Sequence, residues 1–116
     1  MIIAVDFDGT LCENKYPDIG KPNKFLIRNL IARKKNGDKI ILWTCRCGWK
    51  LERAVEWCRA QGLEFDAVNE NLDEVIQKHG GDTRKIYADL YVDDHAWTLE
   101  EYSRSHEQLT EYLEDE

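Results

Sequence analysis

Short continuous runs of apolar residues alternate along the chain with stretches of helical spacing. Residues 2–6 read Ile-Ile-Ala-Val and break on a carboxylate, Asp6, before a Gly-Thr turn. A run of this kind predicts a strand buried on both faces. Residues 11–22 hold Pro17, Gly20 and Pro22 and predict an irregular loop, with Pro22 opening a helix at its first turn. That helix carries Leu26, Ile27, Leu30 and Ile31 to a core and stops at Gly37. Lys39 to Trp43 is a second strand, ending at Thr44. Trp49 to Gln61 is a helix with Leu51, Ala54, Val55 and Cys58 on one face and Gly62 as its stop.

Phe65 to Val68 predicts a short third strand, and Asn71 or Leu72 to His79 a short helix closed by Gly80-Gly81. Ile86 to Val92 is a fourth strand, with Asp93 and Asp94 at its end. Thr98-Leu99-Glu100-Glu101 matches a capping box and starts a last helix holding Leu99, Tyr102, Leu109 and Leu113. Parallel neighbours need crossover connections, so the alternation predicts an α/β fold: a mainly parallel sheet with helices on both faces, in three α/β/α layers. With 116 residues and no linker or repeat, the chain is expected to form one domain spanning 1–116.

Composition changes this picture little. Apolar residues make up 42% and charged ones 34%, as in a soluble globular protein. No apolar run approaches the roughly 20 residues that cross a bilayer, and Met1–Val5 lacks the basic leader of a signal peptide. A cytoplasmic protein without a membrane partner is expected. The net charge of −7 and the acidic Glu111, Glu114, Asp115 and Glu116 disfavour nucleic acid as a partner. The four cysteines, Cys12, Cys45, Cys47 and Cys58, lack zinc-type spacing, and free thiols, buried or half-buried, are expected.

Ligands of such sheets bind outside the carboxyl ends of the strands. Asp6 with Asp8, Thr44, and Asp93 with Asp94 all stand at those ends. Carboxylates crowded together repel one another unless a cation sits among them, and an all-oxygen set suits magnesium. Mg2+ is the expected cofactor.

Asp6-Phe7-Asp8-Gly9-Thr10 after an apolar strand resembles the DxDGT motif of the haloacid dehalogenase superfamily. Thr44 after Ile40-Ile41-Leu42-Trp43 is similar to that family's second motif, Lys85 to the third-motif lysine, and Tyr91-Val92-Asp93-Asp94 to the fourth. All stand in the family order and span nearly the whole chain. The family's lysine usually precedes a proline, whereas Lys85 precedes Ile86, which keeps Lys78 as a second candidate.

The resemblance implies a Rossmann-like fold and a magnesium-dependent phosphomonoesterase. Asp6 would be the nucleophile, and Asp8 the general acid and base. The dehalogenase branch lacks a carboxylate at the latter position, so phosphoryl chemistry is preferred. Thr44 would donate to the phosphoryl oxygens, Lys85 would neutralise charge, and the backbone amides after Asp6 put Gly9 and Thr10 against the substrate. The implied metal ligands are Asp6, the backbone carbonyl of Asp8, and one or both of Asp93 and Asp94, with Asp94 favoured as the direct ligand.

Other residues keep two readings. Arg46 is either a surface arginine or a grip on the substrate phosphate. Asn69 and Asn71 read as cap residues, His95 as incidental or tuning, and Trp49 and Trp57 as packing. The stretches Leu11–Pro22 and Cys45–Arg84 leave no room for a folded cap domain. An open site suits a large substrate or a lid from a neighbouring subunit of a homo-oligomer, with the Leu11–Lys21 loop, including Glu13, Tyr16 and Pro17, setting specificity. A small phosphorylated metabolite, a sugar phosphate or nucleotide, is the expected substrate. The alternatives are a polynucleotide 3′-phosphatase and a non-enzymatic phospho-receiver or magnesium-binding regulatory domain.

Overall fold

The computed structural model describes residues 1–105. In chain order the elements are β1 (Ile2–Val5), β2 (Cys12–Lys15), β3 (Asp18–Pro22), α1 (Lys24–Lys35), β4 (Lys39–Leu42), α2 (Gly48–Ala60), β5 (Ala67–Val68), α3 (Asp73–His79), β6 (Leu90–Val92) and α4 (Leu99–Ser105). A four-stranded parallel sheet has the order β5-β4-β1-β6. β2 and β3 form a separate antiparallel hairpin.

The apolar runs form the sheet because both of its faces are covered. Ile3, Val5, Ile40 and Leu42 point to one face, where Ile27 and Leu30 of α1 and Ala54 and Cys58 of α2 meet them. Ala4, Ile41 and Ala67 point to the other, against Leu72, Val75, Ile86 and Ala88. The steps β1 to β4 and β4 to β5 run one way along the sheet, so right-handed crossovers put α1 and α2 on the same face. The connection from β5 to β6 returns past β1 and puts α3 on the opposite face. Strand order therefore reverses at β1, and the crevice between the ends of β1 and β6 is the topological switch point of the sheet.

Several boundaries differ from the expectation. Residues 11–22 are not irregular but hold the hairpin, which the sequence hides because Glu13, Asn14 and Lys15 are all exposed and give no apolar alternation. Pro22 ends β3 instead of opening α1, whose N-cap is Asn23, with Oδ1 accepting from the Leu26 N–H at 3.2 Å. The third and fourth strands are shorter than predicted. Ile86 and Ala88 are buried without belonging to a strand.

The capping box forms as read, Thr98 and Glu101 exchanging bonds of 3.1 Å between side chain and backbone. Leu109 and Leu113, and the acidic residues from Glu111 on, lie outside the described residues. Trp57 packs edge-on against Phe7, whereas Trp49, in the first turn of α2, is exposed. Cys12 and Cys58 are buried, Cys45 and Cys47 exposed, and all are free. Among the described residues no helix is long and apolar enough to cross a membrane.

Leu30 is 1% exposed between α1 and the sheet. Leu30→Ala removes this packing and is expected to lower unfolding free energy by about 2–5 kcal/mol in urea titration. A loss below about 1 kcal/mol would contradict the burial described.

Candidate active site

The crevice at the switch point is built from the turn after β1 and the two residues after β6. The Asp6 N–H bonds the Val92 carbonyl at 2.9 Å, and the Trp43 N–H bonds that of Val5 at 2.9 Å, so the three strand ends stay aligned. Beyond Asp6 the chain turns sharply. The Phe7 carbonyl accepts from the N–H groups of Thr10 (3.1 Å) and Leu11 (2.9 Å), and the buried Phe7 and Leu11 side chains anchor the turn in the core.

Asp6, Asp93 and Asp94 can each present a carboxylate oxygen within 4.8 Å of the others. Burial is the chief reason that the Asp6 carboxyl is pushed up to about 6; the Phe7 backbone bond works against it, and Asp93 and Asp94 push the same way as burial. Carboxylates so placed suit a cation, and hard oxygen donors suit a hard one.

Thr10 stitches the cluster together. Its hydroxyl lies 3.4 Å from both Asp6 Oδ2 and Asp94 Oδ1, so its single proton serves one or the other, and Oγ1 accepts from the Asp94 N–H at 3.2 Å. Thr10 is buried and braces the acids from within, and the backbone N–H groups of Gly9 and Thr10, expected to face the substrate, are bonded to the carbonyls of Cys12 (3.0 Å) and Phe7 (3.1 Å). Gly9 has φ +84°, and a Cβ there would lie 2.3 Å from Asp94 Oδ2. Only glycine allows this approach. The His95 imidazole lies 3.5 Å from Asp94, while the His95 backbone N–H donates to Asp93 Oδ1 at 2.9 Å.

Thr44 stands at the end of β4, its N–H bonded to Asn69 Oδ1 at 2.8 Å and its Oγ1 accepting from the Arg46 N–H at 3.2 Å. Its hydroxyl proton is left to donate. Lys85 lines the same cavity of about 600 Å³ as Asp6, Trp43, Tyr91 and Asp93, and its Nζ sits 5.9 Å from the centre of the Tyr91 ring. Lys78 lies in the last turn of α3 and is not among the residues lining this cavity.

Asn69 and Asn71 do not cap α3, whose N-cap is Leu72 without a side-chain bond; they tie loops together instead. Asn69 adopts φ +54° and holds the Thr44–Arg46 loop. Asn71 is buried, accepts from the Tyr87 N–H at 2.7 Å and donates to Asp82 at 2.7 Å, fixing the loop that carries Lys85. The asparagine-rich end of the third strand was the visible signal, but its reach across to other loops was not.

Arg46 is neither on the surface nor turned to a ligand. Nε and Nη2 bond the two Asp8 oxygens at 2.8 Å each, Nη2 also bonds the Asp18 carbonyl (3.0 Å), and Nη1 those of Pro17 (3.2 Å) and Lys50 (3.3 Å). A guanidinium has five N–H donors, so none remains for a substrate phosphate. The reading of Arg46 as a phosphate grip is corrected on that count. Asp8 in turn has its carboxylate directed at Arg46.

No family model matches this chain, and no curated protein matches it. A solved structure does: the conserved protein from Bacteroides thetaiotaomicron, 40% identical, aligned over 97% of this chain and 91% of that one with a TM-score of 0.74. The chain is thus an α/β protein with an acidic cluster at its switch point. It belongs to the same family as that conserved Bacteroides protein.

Because the folded-state pKa of Asp6 is raised from 3.8 to about 6, the folded protein holds this proton more tightly than the unfolded chain. The stability so added is complete below about pH 4 and is lost as pH rises through about 6. With chelator present, the melting temperature of wild type relative to Asp6→Asn is expected to fall between those limits. Parallel pH curves for the two proteins would contradict the burial of an ionisable Asp6.

Proposed function

We propose that the protein is a capless, magnesium-dependent phosphomonoesterase of the haloacid dehalogenase type, acting on a small phosphorylated metabolite through an aspartyl-phosphate. The observation that carries this reading is the convergence of Asp6, Asp93 and Asp94 at the switch point, with Asp8 two residues beyond Asp6.

Asp6 would attack phosphorus, forming the acyl-phosphate while the bond to the ester oxygen breaks. Asp8 would give that oxygen its proton, then accept one from the water that attacks the phosphorus of the intermediate, releasing phosphate and restoring Asp6. Thr44 would donate its hydroxyl to a phosphoryl oxygen, and the Lys85 ammonium would balance charge on the nucleophile and phosphate. Asp6, Asp93 and Asp94, with the Asp8 carbonyl, would hold the metal. Magnesium there would offset the repulsion between the carboxylate and an anionic ester. The burial and crowding that raise the Asp6 carboxyl support a cation at this point. An open cavity beside Asp6, with Trp43 and Tyr91 on its wall, supports a small substrate with an apolar or sugar face.

Hydrolysis of p-nitrophenyl phosphate and a panel of sugar phosphates and nucleotides, with magnesium and with chelator, tests the reading. Turnover is expected with magnesium, to vanish with chelator, and to fall to background in Asp6→Asn. Turnover that survives the substitution or needs no divalent metal would overturn it.

A further inference from the structure

We infer that Arg46 is the positioning residue for Asp8, and that it joins the β2–β3 hairpin to the acid–base group as one mechanical unit. The role given to Asp8 rests on the phosphatase reading; the mechanical joint does not.

Arg46 has a side chain only 1% exposed, deep enough that its charge must be paired and bonded to be tolerated. The five bonds do this, and they reach three separate pieces of chain. One is the turn after β1, through both oxygens of Asp8; one is the hairpin tip, through the carbonyls of Pro17 and Asp18; the last is the first turn of α2, through Lys50. The guanidinium carbon also lies over the rings of Phe7 and Tyr16, 4.9 and 5.2 Å from their centres. The hairpin has no strand pairing to the main sheet, so this joint ties its tip to the core. The Lys50 ammonium adds a bond to the Tyr16 hydroxyl at 3.0 Å.

A bidentate fork fixes a carboxylate in position and in rotation, which a single point charge does not. Displacing the hairpin pulls two of the carbonyls off Arg46 and frees the fork to turn, and Asp8 with it. The proton-transfer group is thereby made to depend on the seating of the hairpin that borders the site.

The test separates positioning from general support by the leaving group. A p-nitrophenolate leaves without a proton, whereas an alkoxide needs one. Arg46→Lys keeps the charge but loses the fork, and kcat/KM is expected to fall roughly 100-fold on an alkyl phosphate and under about 10-fold on p-nitrophenyl phosphate. Asp8→Asn should show the same pattern, and adding Arg46→Lys to it should cause little further loss on the alkyl ester.

Tyr16→Ala, at an exposed position where the core is not disturbed, should give a weaker version of the same selectivity. It keeps the test open if Arg46→Lys does not fold. Equal losses on both esters, or losses that multiply in the double variant, would overturn the positioning role.

Hydrogen exchange reads the joint without catalysis. Arg46→Lys, or Tyr16→Ala in its place, should lose amide protection across the hairpin while β1 and β4 keep theirs. An unchanged hairpin would overturn the joint. A wild type that hydrolyses neither ester, with a loosened hairpin in the variants, would sink the phosphatase reading and leave the joint standing.

Discussion

Negative charge crowded at the ends of β1 and β6 is the constraint around which the molecule is arranged. Asp6, Asp93 and Asp94 approach within 4.8 Å because the two strands are parallel neighbours and both terminate there. The turn that follows Asp6 is shaped to permit it. Gly9 leaves Asp94 the space a side chain would fill, and the Thr10 hydroxyl donates to Asp6 or Asp94 while accepting from the Asp94 N–H. A cation among these carboxylates would offset the repulsion, and a hard one has the right chemistry.

A second charge problem is solved internally. Asp8 is held in the Arg46 fork, so the fourth carboxylate of the region is paired by the protein itself. The two solutions differ in kind. One leaves an acidic cluster that could hold a metal ion, and the other builds a fixed joint among the turn, the hairpin and α2.

Much of this was legible in the chain. Strands buried on both faces read as continuous apolar runs, and their polar termini mark the carboxyl edge of the sheet, where Asp6, Thr44, Asp93 and Asp94 stand. Capping chemistry at Thr98 and Glu101 was equally local and equally readable. The hairpin was hidden because its strands carry almost no buried face: Glu13, Asn14 and Lys15 signal solvent, and Pro17 and Pro22 signal loops. The lengths of β5 and β6 were overestimated because Phe65, Ile86 and Ala88 are partly or fully buried without strand pairing, and periodicity reports burial more directly than pairing. Arg46 was misread for a different reason. Two of its partners are backbone carbonyls 28 and 29 positions away and another is the Asp8 carboxylate 38 positions away, contacts that no side-chain pattern announces.

On the proposed mechanism Asp6 carries the phosphoryl group during turnover. An acyl-phosphate is reduced by borohydride, whereas a free carboxylate is not. Borohydride quenching during steady-state hydrolysis, followed by peptide mass spectrometry, should therefore convert residue 6 to homoserine, and only when substrate is present. Reduction at another residue, or none during active turnover, would contradict the claim.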